Sequence, residues 1–280
     1  MIRLERVRTA AAIPNSFRGP GRIDRLLLLV KGKLSGQLSF EGSVWKAAKD
    51  QLKLESGGKC AYCEAPTTTV AHGDVEHFRP KSRYWWLAYC YDNYLFSCQI
   101  CNQQYKKDEF PMTGAALAEP VLPAGALTDD ELRAAIVRLT PDPLNDPEGL
   151  PRADHLQALQ AEQAHLPDPY LIDPEPLFRW VADPVQKEVA IAPRDASPEA
   201  QTAFAAVDRY FGLNREPLRR LRWSVYKDLK TFRDVLEAVE LPPGIRETVA
   251  GTVREMMGSE AEFAGMVRYF VRDEWGLNLP

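Results

Sequence analysis

Four of the five cysteines in this 280-residue chain form two CxxC pairs, Cys60-Ala61-Tyr62-Cys63 and Cys98-Gln99-Ile100-Cys101. A two-residue gap lets both thiolates of a pair reach one ion, and four sulfurs at ~2.3 Å make a closed tetrahedral Zn²⁺ site. Such a site has no open position for substrate, so its metal contributes folding free energy rather than catalysis. The fifth, Cys90, stands among Trp85, Trp86, Leu87 and Tyr89 and reads as core filler. The 34 residues between the pairs exceed the roughly 15 to 20 of a simple zinc ribbon. The interval must therefore house something more than a knuckle.

It contains Asp74-Val75-Glu76-His77-Phe78-Arg79-Pro80-Lys81, then Asn93, and Asn102 follows directly after the last cysteine, with Lys106 and Lys107 downstream. CAYC, EHFRP, Asn93, CQICN and the lysines together resemble the HNH nuclease superfamily, in its branch with a four-cysteine zinc. The wider strings KCAYCE, VEHFRPKS, NYLFSCQICN and the Phe110-Pro111 pair are similar to the HNH proteins of bacterial anti-phage systems of the Septu and retron-associated type. LIDP at 171–174 and FGLNREPLRRLR at 211–222 extend a looser similarity over much of residues 43–222.

The resemblance implies metal-dependent hydrolysis of phosphodiester bonds. His77 is the expected general base, because a neutral imidazole can take a proton from water at neutral pH. Glu76 and Asn102 are the expected oxygen ligands of a catalytic Mg²⁺ or Mn²⁺. Asn93 would hold the loop and orient His77, Lys106 belongs to the same machinery, and Arg79, Lys81 and Lys107 are candidate contacts to nucleic-acid phosphates. Many HNH sites carry Asp or His where Glu76 stands and His where Asn102 stands, so Asp74 remains an alternative ligand and His72 a second choice of base. The resemblance further implies DNA rather than RNA as substrate, and a partner ATPase of the ABC or SMC-like kind. This chain has no GxxxxGK[ST] phosphate loop of its own.

Composition agrees with a nucleic-acid-facing front. Residues 1–111 hold 17 lysines and arginines against 11 acids (+6), and residues 112–280 hold 18 against 28 (−10). Phosphate neutralisation supplies most non-specific affinity, so the basic part is the expected substrate side. No apolar run approaches the ~20 residues that span a bilayer, and no signal-peptide pattern opens the chain, so the expectation is a cytoplasmic protein with reduced thiols and no membrane contact.

The elements that must position these residues follow from periodicity. Trp45, Ala48 and Leu52 share one face of a helix expected from Ser43 to Gly57, which delivers the chain into Cys60. Val70–Phe78 reads as two short strands about His72-Gly73, and a helix opens at Cys101. The expected fold class is α+β: a small ββα-metal core braced by the zinc knuckle inside a mainly helical chain. Its expected parts are a basic N-terminal region with a helix (1–59), the nuclease core (60–111), a Pro/Ala-rich insert (112–170) and a helical region (171–280).

Within the insert only Thr128-Asp129-Asp130-Glu131 marks a helix start, a capping box. A hairpin is expected over 177–192, a helix from Ser197-Pro198 to Gly212, and a longer helix with Leu218, Leu221, Val225, Leu229, Phe232 and Leu236 as its buried stripe. A last helix is expected to open at Ser259 with Glu262 closing a capping box. Arg215, Arg219, Arg220 and Arg222 are expected to form a separate basic face for a partner or phosphates. Two rival readings remain at this level: a zinc-braced module that binds without cutting, and a stand-alone restriction-type nuclease.

Overall fold

In the computed structural model, which describes residues 1–280 apart from 68–71, 124, 126, 146, 239–241, 278 and 280, the chain combines helices with two two-stranded antiparallel sheets. The fold class is α+β. The first sheet pairs β1 (Asp74–His77) with β2 (Tyr94–Ser97), in the register Asp74↔Ser97 to His77↔Tyr94. A π-helix, Ile100–Lys106, follows directly. Strand, strand, helix is thus the order among the described residues, with the segment after Asn93 pairing with β1. Val70 and Ala71, part of the expected first strand, lie outside the described residues.

Two glycines permit this geometry. Gly73 turns into β1 with φ +61°, and a Cβ there would stand 2.3 Å from the Phe96 ring. Gly212 ends its helix at φ +60°, where a Cβ would meet the Tyr105 ring of the π-helix at 2.3 Å. Only glycine supplies both the positive φ and the missing volume.

The expected 43–57 helix is two pieces, α2 (Gly42–Lys46) and α3 (Lys49–Glu55), broken at Ala47-Ala48. The break uncouples the two faces: Val44, Ala48 and Leu52 are buried, while Trp45 is only half-buried. Ahead of them α1 (Gly19–Leu34) buries Leu26, Leu27, Leu29 and Val30. In the insert, α4 (Asp129–Ile136) carries the expected capping box between Thr128 and Glu131. The remainder is less irregular than its prolines suggest, because Pro151 precedes a helix, α5 (Arg152–Ala161), and a proline is compatible with a helix start.

The hairpin β3 (Phe178–Asp183) and β4 (Glu188–Pro193) and the helix α6 (Pro198–Phe211), capped by the Ser197 side chain, match expectation. In α7 (Glu216–Glu237) the stripe differs: Leu221 is exposed, and Arg222 takes the buried position. After α8 (Pro243–Met256), no capping box opens at Ser259; α9 (Ala264–Arg268) starts after Phe263, whose φ is positive. Phe263, Met266, Val267 and Phe270 are nonetheless buried as expected.

One cluster of buried side chains runs from Met1 through the sheets to Val271 and draws on all four expected parts of the chain. Residues 112–170 are tied to the segment after β1 at Glu162. Its fully buried carboxylate receives Arg79 Nε (2.6 Å), Tyr84 OH (2.7 Å) and Leu117 N (2.9 Å). Among the described residues no helix is long and apolar enough to cross a membrane.

Candidate functional site

The knuckles converge first. The Sγ atoms of Cys60, Cys63, Cys98 and Cys101 all lie within 4.8 Å of one another, and Cys63 and Cys98 are 3.9 Å apart. A tetrahedron with ~2.3 Å arms has edges of ~3.8 Å, so the spacing is that of four thiolates around one Zn²⁺. None of the cysteines is in a disulfide. The first knuckle is tied to the sheet by Ala61 N donating to Phe96 O (2.9 Å), and Tyr62 stacks on Phe211 with ring centroids 3.8 Å apart. A zinc with four thiolates carries a net negative charge. Arg215 answers it, donating Nη1 to Cys101 Sγ at 3.5 Å while the same group holds Phe211 O and Gly212 O. Burial works against this guanidinium's charge, but the nearby cysteines more than offset it and raise its pKa.

The sheet then carries the second set. Glu76 and His77 sit side by side on β1, Asn102 on the π-helix, and all three line one cleft of about 580 Å³ together with Asp74, Lys81 and Lys107. The cleft is distinct from the sulfur cluster, as a structural zinc and a reaction site require. His77 is nearly buried, and its Nε2 lies 3.0 Å from Ala88 O. A carbonyl can only accept, so Nε2 bears the proton and the neutral ring keeps its lone pair on Nδ1. Burial lowers the imidazole pKa to about 3, with Lys81 and Lys106 adding to it and the Ala88 bond opposing. The ring is therefore neutral at neutral pH. Trp45 and Tyr94 hold it edge-on, with centroids at 5.0 and 5.1 Å.

Asn93 orders the loop that presents Ala88. Its Oδ1 accepts from Arg79 N (2.8 Å), and its Nδ2 donates to Arg79 O (3.0 Å) and Leu87 O (3.3 Å). Asn93 lies outside the cleft, and its side chain is occupied by the backbone of Arg79 and Leu87. Asn102 donates Nδ2 to Asp74 Oδ2 (3.3 Å), which leaves its amide oxygen available. Asp74, the alternative ligand, also receives Gln103 Nε2 at 2.8 Å. Glu76 is buried, and burial raises its pKa against the opposing pull of Lys106.

Two lysines divide differently from expectation. Lys106 is wholly buried, with Nζ 2.6 Å from Glu76 Oε1 and donating to His77 O at 3.0 Å. It compensates the carboxylate from behind. Lys107 and Lys81 face the cleft. Arg79, expected at a phosphate, is instead buried on Glu162 and lines no part of the cleft. A paired carboxylate offsets the cost of desolvating this guanidinium, and nothing near Arg79 in the sequence points to Glu162, 83 residues away, as its source. His72 is exposed, and Cys90 is buried with its thiol pushed up to about 12 by that burial, the behaviour of core filler.

The sequence reading missed Trp45, Lys46 and Lys49, which form the α2–α3 wall of the cleft. It also missed Arg215 as the partner of the sulfur cluster. The supposed basic face of α7 is largely engaged: Arg222 is buried over the Trp180 ring and donates to Leu213 O, and Arg219 pairs with Glu188 at 2.7 Å. Arg220 remains exposed.

Part of this chain is similar to the Septu protein PtuB. That protein, from Bacillus mycoides (strain KBAB4), is 37% identical over 86 residues, which is 26% of this chain and 29% of the relative. The chain thus matches under a third of the length of the Septu relative. No family model matches the chain, and no solved structure matches it. The likeness supports the Septu side of the expected resemblance; nothing in these comparisons bears on the retron side.

Proposed function

We propose that this chain is a metal-dependent HNH nuclease that hydrolyses nucleic-acid phosphodiester bonds, and that it serves as the nuclease of a Septu-like defence system. The observation that carries this reading is the imidazole of His77, with Nε2 committed to Ala88 O and Nδ1 free, beside two oxygen-bearing side chains in a cleft rimmed by lysines. The donor set suits a hard divalent cation: a buried carboxylate from Glu76 and the unengaged amide oxygen of Asn102. Mg²⁺ or Mn²⁺, when bound there, supplies positive charge for the developing negative charge on the phosphate and leaving oxygen. His77 Nδ1 takes the proton from the attacking water, and the Nε2 bond to Ala88 O keeps the ring aimed. Lys81 and Lys107 bind the flanking phosphates, Asn93 holds the loop behind His77, and Lys106 opposes the burial that disfavours the charge on Glu76. The four-cysteine zinc braces the sheet on which this depends.

The similarity to the Septu protein PtuB supports the defence role, and the absence of a phosphate loop supports a separate ATPase partner of the ABC or SMC-like kind. DNA is the proposed target. Purified protein incubated with plasmid and with single-stranded DNA should cleave at least one of them with Mg²⁺ and neither with EDTA. His77→Ala should reduce the rate by ~10²–10⁴-fold while zinc content stays unchanged. Retained nucleic-acid binding with no metal-dependent cleavage by the wild-type chain, alone or with its genomic-neighbour ATPase, would replace this reading with a zinc-braced binding module.

A further inference from the structure

The wall of the cleft opposite the π-helix has no part in the proposed hydrolysis. It is built by Trp45, Lys46 and Lys49 from α2, α3 and the break between them. Trp45 is half-buried, its indole nearly perpendicular to the His77 ring at 5.0 Å, and Lys81 Nζ lies 5.5 Å from the same indole. Lys46, Lys49, Lys81 and Lys107 all border the cleft, and none of the four ammonium groups has an ion-pair partner among the described residues. An aromatic ring set among uncommitted cations, within one side chain of the reacting group, is an arrangement that stacks a base while its phosphates are neutralised.

Depth decides which kind of strand can use it. Glu76 is 3% and His77 8% exposed, so the scissile phosphate must descend to the cleft floor. The cleft, about 580 Å³, falls within the size range of pockets for single small ligands, room for one or two nucleotides. A duplex keeps its bases paired and stacked inward and is read through grooves ~12 and ~6 Å wide. It therefore offers no base face to Trp45 without local unpairing.

Resting on the HNH reading above, we infer that the substrate is an unpaired nucleic-acid strand, whose base next to the scissile phosphate stacks on Trp45 while Lys46, Lys49 and Lys81 take the adjoining phosphates. Trp45 is then a specificity-determining residue and not merely a packing wall for His77.

The test uses the full-length chain as His77→Ala, which permits binding without turnover, with Mg²⁺ at fixed ionic strength. Fluorescence anisotropy compares a 20-nucleotide strand, as DNA and as RNA, with the matching duplexes. At least one single strand should bind tenfold or more tightly than either duplex. Adding Trp45→Ala should weaken that strand roughly 5- to 100-fold and leave duplex binding unchanged, while Trp45→Phe retains most of the affinity. A 2-aminopurine scanned along the strand should be quenched at one position, and the quenching should vanish in Trp45→Ala. An abasic residue at that position should reproduce the affinity loss without touching the protein. Equal or tighter duplex binding, or an abasic strand that binds as well as the intact one, overturns the inference. Metal-dependent plasmid cleavage by the wild-type chain alongside such a result would leave the nuclease reading standing; a single-strand preference without cleavage of any substrate would overturn the nuclease reading alone.

Discussion

Removing the Glu162 carboxylate separates two accounts of Arg79. In the fold, Arg79 and Glu162 are 3% and 0% exposed and 2.6 Å apart, and the same carboxylate also receives Tyr84 OH and Leu117 N. Glu162→Ala leaves a buried guanidinium unpaired, which costs ~3–5 kcal/mol. It also strands the phenol and the amide, at ~1 kcal/mol each. The expected loss is therefore ~5–7 kcal/mol. For a chain of this size, with ~2–4 °C per kcal/mol, the melting temperature should fall by at least ~10 °C.

Arg79→Leu should cost ~3–5 kcal/mol by the same logic. The double variant Arg79→Leu/Glu162→Ala removes both charges and should regain most of the charge penalty, leaving the ~2 kcal/mol of unpaired phenol and amide. Urea unfolding of the four proteins gives the coupling directly. If Arg79 were instead a phosphate contact, Arg79→Leu would melt like the wild type, weaken nucleic-acid binding and reduce the slope of log affinity against log salt by about one. That pattern would refute the buried-pair account.

The sulfur cluster and α7 offer further checks. The purified protein should contain one zinc per chain by elemental analysis, and Cys98→Ser or Cys101→Ser should lower its melting temperature through loss of metal-coupled folding energy. Arg215→Ala should release zinc to a colorimetric chelator at least several-fold faster than wild type, since its loss uncovers the Cys101 sulfur and the cluster's negative charge; an unchanged release rate would remove Arg215 from the cluster's support. Arg222→Glu should give insoluble or strongly destabilised protein because its position is fully buried, whereas the exposed Arg220→Glu should shift stability by under ~0.5 kcal/mol.

Short-range chemistry was legible in the chain. Two CxxC pairs can reach one ion whatever surrounds them, and the cysteines do converge within 4.8 Å. The Thr128 capping box, the Ser197-Pro198 helix start and the αL stop at Gly212 are settled within a few residues, and each appears where its local signal lies. The strand at Glu76-His77 and the helical segment carrying Asn102 also lie where expected, whereas the pairing of that strand with Tyr94–Ser97 had no local signal. Partners distant in sequence had no such signature. Arg79 carries the same side chain whether it meets a phosphate or Glu162, and Lys106 and Lys107 are adjacent and chemically identical, yet one is sealed against Glu76 and the other faces the cleft. Arg222 interrupts an apolar stripe that Leu221 would have continued, because Trp180 and the Leu213 carbonyl provide a buried place for a guanidinium. Charge and periodicity name which residues can do chemistry; only the long-range packing, which decides where each charge is desolvated and what answers it, assigns them to a reaction cleft, a metal cluster or the core.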